Sequence, residues 1–278
     1  MKLAIFAKTF EGDTPKAVLT AARRAGYAAV QYNMACSGLG ALPTQIPDAA
    51  VETLGREAAD TGVDIAAISA TYNMVHPDKS KREAGRQSFA AIAAAARRVG
   101  CPMVTVCTGS RDPVDQWRGH PDNETVEAWN DMVAEFGVLV PVAEKEGVTI
   151  GIEPELANVV ASPEKARRLL DLFGSGPLRI VLDPANLFES GEGEMIQRTI
   201  GEAIDLLGPY IGLAHAKDRR ADGTFVAAGK GVVDFRQFIG GLRRAGFDGP
   251  LVTHGLAAHE AMDVAAFLTA AIKSSGAM

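Results

Sequence analysis

The chain has 278 residues, 47% of them hydrophobic and 22% charged, with a formal net charge of −6 and a pI near 5.5. That composition can bury one large core, so residues 1 to 278 are expected to form a single domain, and it offers no basic footprint for nucleic acid or an acidic membrane surface. Cys36, Cys101 and Cys107 lack zinc or redox spacing, the apolar run in MKLAIFAKTF is short for a signal peptide, and no segment nears the roughly 18 apolar residues of a membrane span. A cytoplasmic location is the expectation.

One pattern recurs along the chain: a helix rich in Ala and Arg, then Gly, then a short apolar run. It appears in AARRAGYAAVQYN (21 to 33), EAADTGVDIAAISATYN (57 to 73), AAARRVGCPMVTVCTG (94 to 109), AEKEGVTIGIEPE (143 to 155) and LRRAGFDGPLVTHG (242 to 255). The Gly ends the helix in the left-handed conformation, and the run after it is apolar enough to be buried on both faces. The pattern predicts strands at about 2 to 7, 28 to 32, 64 to 70, 102 to 108, 148 to 153, 178 to 183, 211 to 216 and 250 to 254. Helices are predicted at roughly 14 to 26, 48 to 62, 80 to 100, 123 to 147, 162 to 174, 192 to 208, 234 to 246 and 259 to 273. Strict alternation means a parallel sheet, and eight units close an α/β barrel of the (β/α)8 TIM type. A doubly wound open sheet would carry a Gly-rich phosphate turn after its first strand, and AIFAKTFEGDTP has none.

In such a barrel, active sites lie at the C-terminal ends of the strands. Those ends are polar here: Lys8, Gln31 and Asn33, then Tyr72, Asn73 and His76, then Thr108 and Arg111. Glu153, Asp183, His215 and His254 follow at the ends of four successive runs. Adjacent strands are about 4.8 Å apart, so four ligand-type side chains would converge on one space. Alternation puts Glu153 with Thr149 and Gly151, Asp183 with Val181, and His215 with Leu213, all on the axis side. Burying these groups together without a cation would be costly through desolvation and carboxylate repulsion, so they are expected to hold one divalent metal.

The order of a strand-five Glu, then LDPAN, HAKD and GPLVTHG, with NMVHPD, VTVCTGSRD and HPDN earlier, resembles the xylose isomerase-like TIM barrels, the sugar phosphate isomerase/epimerase superfamily. The resemblance covers essentially the whole chain. It implies that Glu153, Asp183 and His215 are metal ligands and that Lys217 and Asp218 match the residues following the ligand His. Where the epimerases place a second Glu at the end of strand eight, this chain has His254, and where they often have His after the strand-six Asp, it has Asn186. The imidazole softens the ligand set, which favours Mn²⁺ first, then Co²⁺, Fe²⁺ or Zn²⁺, over Mg²⁺. His254 must be deprotonated to bind, so metal-dependent activity is expected to fall below about pH 6.

The chemistry implied is isomerisation or epimerisation of a small sugar or keto-sugar through an enediolate, with a lyase or dehydratase on a keto-sugar or keto-inositol as the alternative, and a non-catalytic sugar-binding barrel as the third. Glu153, Glu155, His254 and Lys217 are the candidate catalytic groups, Lys217 also being placed to pair with Asp183 or Glu153. Lys8, Tyr72, Asn73, His76, Arg111, Asn158 and Asn186 are the candidate substrate contacts. Arg111 is the first choice for an anionic group, unless Asp112 or Asp115 takes it. The stretch from 109 to 123, with Trp117 and His120, is long enough for a lid or a subunit contact, so a homo-oligomer is compatible; GTFVAAGKG (223 to 231) is a loose candidate for a Gly-rich phosphate loop that reads equally well as a flexible loop, and the substrate need not be phosphorylated. The expected partner is a small carbohydrate, with no nucleic acid and no membrane.

Overall fold

In the computed structural model, which describes residues 1–174 and 176–275, eight strands run parallel around a closed barrel and helices lie between them. The barrel strands are β1 (Lys2–Phe6), β2 (Ala29–Tyr32), β3 (Asp64–Ser69), β4 (Met103–Cys107), β5 (Thr149–Glu153), β6 (Leu178–Leu182), β7 (Ile211–Arg219) and β9 (Pro250–Thr253). Closure comes from β1 pairing with both β2 and β9, and from β6 pairing with β7. The helices are α1 (Pro15–Arg24), α2 (Asp48–Thr61), α3 (Lys79–Arg98), α4 (Val126–Glu146), α5 (Pro163–Phe173), α6 (Glu194–Leu207), α7 (Phe235–Arg244) and α8 (Ala261–Ser274). None of the described helices is long and apolar enough to cross a membrane.

The recurring sequence pattern ends helices as expected. Gly62 after α2 and Gly147 after α4 adopt φ of 64° and 65°, and each donates its N–H back to the last turn. Thr14, Asp78, Thr125, Ser162 and Asp234 cap the N-termini of α1, α3, α4, α5 and α7, each cap contributing about 1 kcal/mol. The helix expected from 123 is interrupted: residues Pro121–Glu124 form a 3-10 turn that stops at Thr125, and α4 starts only where that threonine begins to cap it.

Both strand faces are apolar because each has something to fill. The outer residues Ile5, Val30, Ile68, Val104, Ile150, Ile180 and Leu251 pack in one cluster with helix residues such as Leu19, Phe89, Phe136, Leu169, Ile204 and Phe238. Inside the barrel, Ala4, Ala29, Ala66, Ala67, Met103, Val181, Leu213 and Val252 form a separate cluster. Val181 and Leu213 lie two residues before Asp183 and His215, so the strand alternation that plugs the barrel also aims those two side chains at its mouth.

One element differs in kind from its expectation. Strand seven runs on to Arg219 and turns back through Asp222 and Gly223 into a short antiparallel strand, β8 (Phe225–Ala227). Gly223, at φ 92°, makes the turn, and Arg220 N–H donates to Thr224 O at 2.8 Å. The expected flexible loop is thus a hairpin whose far end is tied down: the Asp218 carboxylate accepts from the backbone N–H of Gly229, Gly231 and Val233.

Gly151 faces the interior cluster so closely that an added Cβ would lie 2.7 Å from Met103 Sδ and 2.9 Å from Val181 Cγ2. Gly151→Val is therefore expected to destabilise the barrel by about 1–3 kcal/mol through overpacking, measured by denaturant unfolding. Unchanged stability would mean the interior is looser than this packing.

Candidate metal centre

Asp183 stands where β6 ends in the sequence LDPAN. Its Oδ1 accepts from Ala185 N–H at 2.9 Å and caps the short turn Pro184–Asn186, which leaves Oδ2 facing the barrel axis. Around that oxygen lie His254 Nε2 at 3.1 Å, Lys217 Nζ at 3.1 Å and His215 Nδ1 at 3.6 Å. Glu153, at the end of β5, comes within 3.0 Å of His215 Nδ1 through Oε1, and the same turn swings Asn186 round to donate to that oxygen at 3.0 Å. Ligand atoms of Glu153, Asp183, His215 and His254 all lie within 4.8 Å of one another.

The electrostatics of the cluster couple two buried carboxylates to the cations beside them. Burial works against the charge of Asp183, but Lys217, His215 and His254 outweigh it and hold the carboxyl well below the usual carboxylate range. Glu153 is also pulled below its ordinary value, its burial overcome chiefly by His215. In turn the two carboxylates overcome burial at His215 and push it up to about 9. His254 goes the other way, lowered by burial and by the neighbouring His215, whose ring centroid is 4.4 Å away. Lys217, buried, is kept charged above the usual lysine value because Asp183, Glu155 and Glu153 outweigh its desolvation. It is therefore a cation here.

The donor set fits a divalent ion. His215 Nε2 is 2.9 Å from Gln31 Oε1, while Gln31 Nε2 donates to Thr105 Oγ1 at 3.1 Å, so the amide oxygen accepts from Nε2–H. A neutral His215 then points its Nδ1 lone pair straight at Glu153, a repulsive arrangement unless a proton or a metal lies between. An orienting hydrogen bond on the outer nitrogen of a ligand histidine is what metal sites usually show. Two carboxylates and two imidazoles suit Mn²⁺, Co²⁺, Fe²⁺ or Zn²⁺.

A cavity of about 600 Å³ opens over this cluster at the C-terminal ends of the strands. Glu153, His215, Lys217 and His254 form its floor, with Lys8, Gln31, Asn33, Glu155 and Arg219 on the walls and Trp117 and Phe225 at the rim. Burial and the charge of Glu153 push Glu155 up to about 8.

Residues 19–270 match the family described as Xylose isomerase-like TIM barrel. The chain belongs to that family. Among curated proteins no sequence match is found. Similar solved structures include 3-keto-D-glucoside 4-epimerase from E. coli, 16% identical over 97% of this chain and 99% of that one with a TM-score of 0.77. D-allulose 3-epimerase from Methylomonas sp. in complex with D-allulose is 17% identical over 99% of this chain and 97% of that one, TM-score 0.75. The IolI protein with a zinc atom bound is 18% identical over the full length of both, TM-score 0.75. At these identities the likeness is one of fold.

Within this xylose isomerase-like barrel, the residues expected at the site divide sharply. Glu153, Asp183, His215, His254, Lys217 and Asn186 come together, and Lys8 and Glu155 line the cavity above them. Asn186, expected to touch substrate, instead bridges the cluster, accepting from Lys217 Nζ at 2.7 Å while it donates to Glu153. Five other residues expected to contact substrate lie outside the cavity lining. Arg111 is held by Asp131 at 2.7 Å and by Val75 O, neither of the aspartates named as its alternatives. Tyr72 donates to buried Glu135 at 2.8 Å. Asn73 and Asn158 brace the loop from 109, Asn73 through Ser110 and Asn158 through Gly109 and Gln116. His76 Nδ1 accepts from Asp78 N–H, and its Nε2 faces Pro113 O at 3.1 Å. None of the five lines the cavity; each buried polar atom found a nearer backbone or side-chain partner. Gln31 was recognised only as a polar strand end, although its parity with Ala29 already aimed it inward. Arg219 and Phe225 were hidden by the unrecognised hairpin, for which the Asp222-Gly223 pair was a signal.

Of the two candidate ligand histidines, the metal-free cluster raises the pKa of His215 and lowers that of His254. His215 has its pKa raised from 6.5 to about 9, so in metal-free protein it contributes stability that is fully present below pH 6.5 and is lost as the pH rises through about 9. Metal binding between those values should release about one proton per chain, and the melting temperature of the metal-free form should fall across the same window. Titrating metal into weakly buffered protein checks both, with His215→Gln expected to abolish them. Uptake without proton release would contradict the assignment.

Proposed function

We propose that this barrel, residues 1–278 acting as one domain, is a divalent-metal-dependent isomerase or epimerase of a small sugar or keto-sugar. The observation that carries the reading is the convergence of Glu153, Asp183, His215 and His254 beneath a cavity of sugar-accommodating size, with Glu153, His215 and His254 lining its floor. The keto-sugar epimerases among proteins of similar fold support it. A divalent ion held by those four residues would polarise a ketone and its neighbouring hydroxyl and stabilise the negative charge left when the adjacent carbon loses a proton.

The chain's own residues supply the rest. Glu153 is the proton acceptor: Asn186 and His215 fix its Oε1, and Cys107 Sγ lies 3.9 Å from its Oε2, so the carboxylate has little rotational freedom to lose. Lys217, charged and held by Asn186 and Asp183, steadies developing negative charge on a substrate oxygen. Glu155, two residues on and also on the cavity wall, is the second carboxylate available to move a proton. One observation favours a lyase as the second reading. The end of β9 presents an imidazole at His254 instead of a carboxylate, so proton return from the opposite face lacks its symmetrical partner, and loss of a β-hydroxyl competes with it.

Manganese is the first choice of ion for such a donor set, and the reading places the protein in the cytoplasm. Incubation of metal-loaded protein with D-fructose, D-tagatose or D-allulose in heavy water should place deuterium on the carbon beside the carbonyl, and Glu153→Gln should slow that exchange by about 10²-fold or more. Turnover with the original hydrogen retained would remove Glu153 as the base. Binding with neither exchange nor turnover would favour the non-catalytic sugar-binding barrel.

A further inference from the structure

Arg219 is a buried charged residue of the cavity for which the cluster chemistry has no use. It lies four residues beyond His215 on β7, and strand alternation puts His215, Lys217 and Arg219 on one side in a row. At about 3.3 Å per residue, its Cα is ~13 Å up the strand from that of His215. Its side chain lines both the central cavity and an outer cleft formed with Gly119, Leu156, Ala157, Glu189 and the hairpin turn.

Arg219 is 9% exposed, yet its guanidinium has no carboxylate within ion-pair distance among the described residues. Its one side-chain hydrogen bond there is from Nη1 to the backbone carbonyl of Glu189 at 2.8 Å, and its Nε is buried without a partner. Phe225 stacks over it at 4.0 Å, with Phe188 at 6.0 Å, which removes water without supplying a counter-charge. The other cations of the cavity are placed differently: Lys217 is engaged by Asp183, and Lys8 is exposed. A desolvated cation with no anion is costly, and a site keeps one where a ligand brings the missing charge.

We propose that Arg219 anchors an anionic group, a carboxylate or a phosphate, at the end of the substrate remote from the Asp183 cluster. The substrate class is then a keto-sugar acid or a sugar phosphate rather than a neutral ketose. The anion-binding role expected of Arg111 passes to a residue on the cavity wall. The inference rests on the isomerase reading only in taking this cavity as the sugar site. Absence of deuterium exchange with D-fructose 6-phosphate and 5-keto-D-gluconate, with anion discrimination intact, would sink that reading and leave Arg219's role standing.

The test is calorimetric binding, at fixed ionic strength, of D-fructose, D-fructose 6-phosphate and 5-keto-D-gluconate to metal-loaded wild type, Arg219→Gln and Arg219→Lys. Wild type should prefer one charged probe over the neutral one by about 10-fold or more, as expected for hydrogen bonds to a charged group, and which probe wins separates phosphate from carboxylate. Arg219→Gln should bring the ratio close to one, leaving metal content, melting temperature and D-fructose affinity unchanged. Arg219→Lys should retain part of the preference, and it carries the test if the glutamine variant does not fold. Equal affinity for charged and neutral probes in wild type, failure of both charged probes to bind, or an unaltered ratio in the variants would overturn the proposal. So would parallel loss of D-fructose binding, which would make Arg219 a brace for the hairpin.

Discussion

The charge on Asp183 is the constraint around which the upper half of the barrel is arranged. A carboxylate 1% exposed cannot stay ionised without compensation, and this one collects it from three strands: Lys217 and His215 from β7, His254 from the end of β9, and the turn N–H of Ala185 from its own. Glu153 adds a second negative charge from β5, and Asn186 ties it to Lys217. The cluster is nearly balanced by one imidazolium and one ammonium. A divalent ion would occupy the place of the His215 proton, which is why proton and metal are expected to compete there.

The barrel makes that density of charge tolerable. Below the cluster the axis is sealed by Met103, Val181, Leu213 and Val252, and Gly151 leaves room for Met103 and Val181 to meet. Above it the cavity is open to a ligand between Trp117 and Phe225. The loop carrying Trp117 is held in shape by its own polar groups: Ser110 Oγ donates to Arg118 O, and Asn123 reaches Arg111 N–H and Ala157 O. Asn73, Asn158 and Arg111 therefore serve the site indirectly, by building the loops that bound it.

How much of this could be read from the chain follows from the range of each interaction. The strand and helix alternation, the barrel and the inward parity of Glu153, Asp183 and His215 are set by local periodicity, and all were legible. So was the convergence of the four ligand-type residues, because barrel geometry turns order along the chain into adjacency in space. The polar residues after β3 and β4 were misplaced because a strand-end position says only that a residue is near the mouth. Whether Arg111 faces ligand or Asp131 depends on a helix that begins fifteen residues later. The β7–β8 hairpin was missed although Asp222 and Gly223 signalled it, since the strand there was expected to stop at 216, and with it went Arg219. Gln31 was visible as a polar strand end, but its bond to His215 joins strands 184 residues apart in sequence and has no local trace.

The central claim, that the Glu153, Asp183, His215 and His254 cluster holds a divalent ion on which activity depends, is tested most directly by elemental analysis of the purified protein and of Asp183→Asn, with activity followed on the same samples. The account predicts about one divalent ion per wild-type chain and loss of most of it, with activity, in the variant. A wild-type protein that is free of metal and fully active would contradict it.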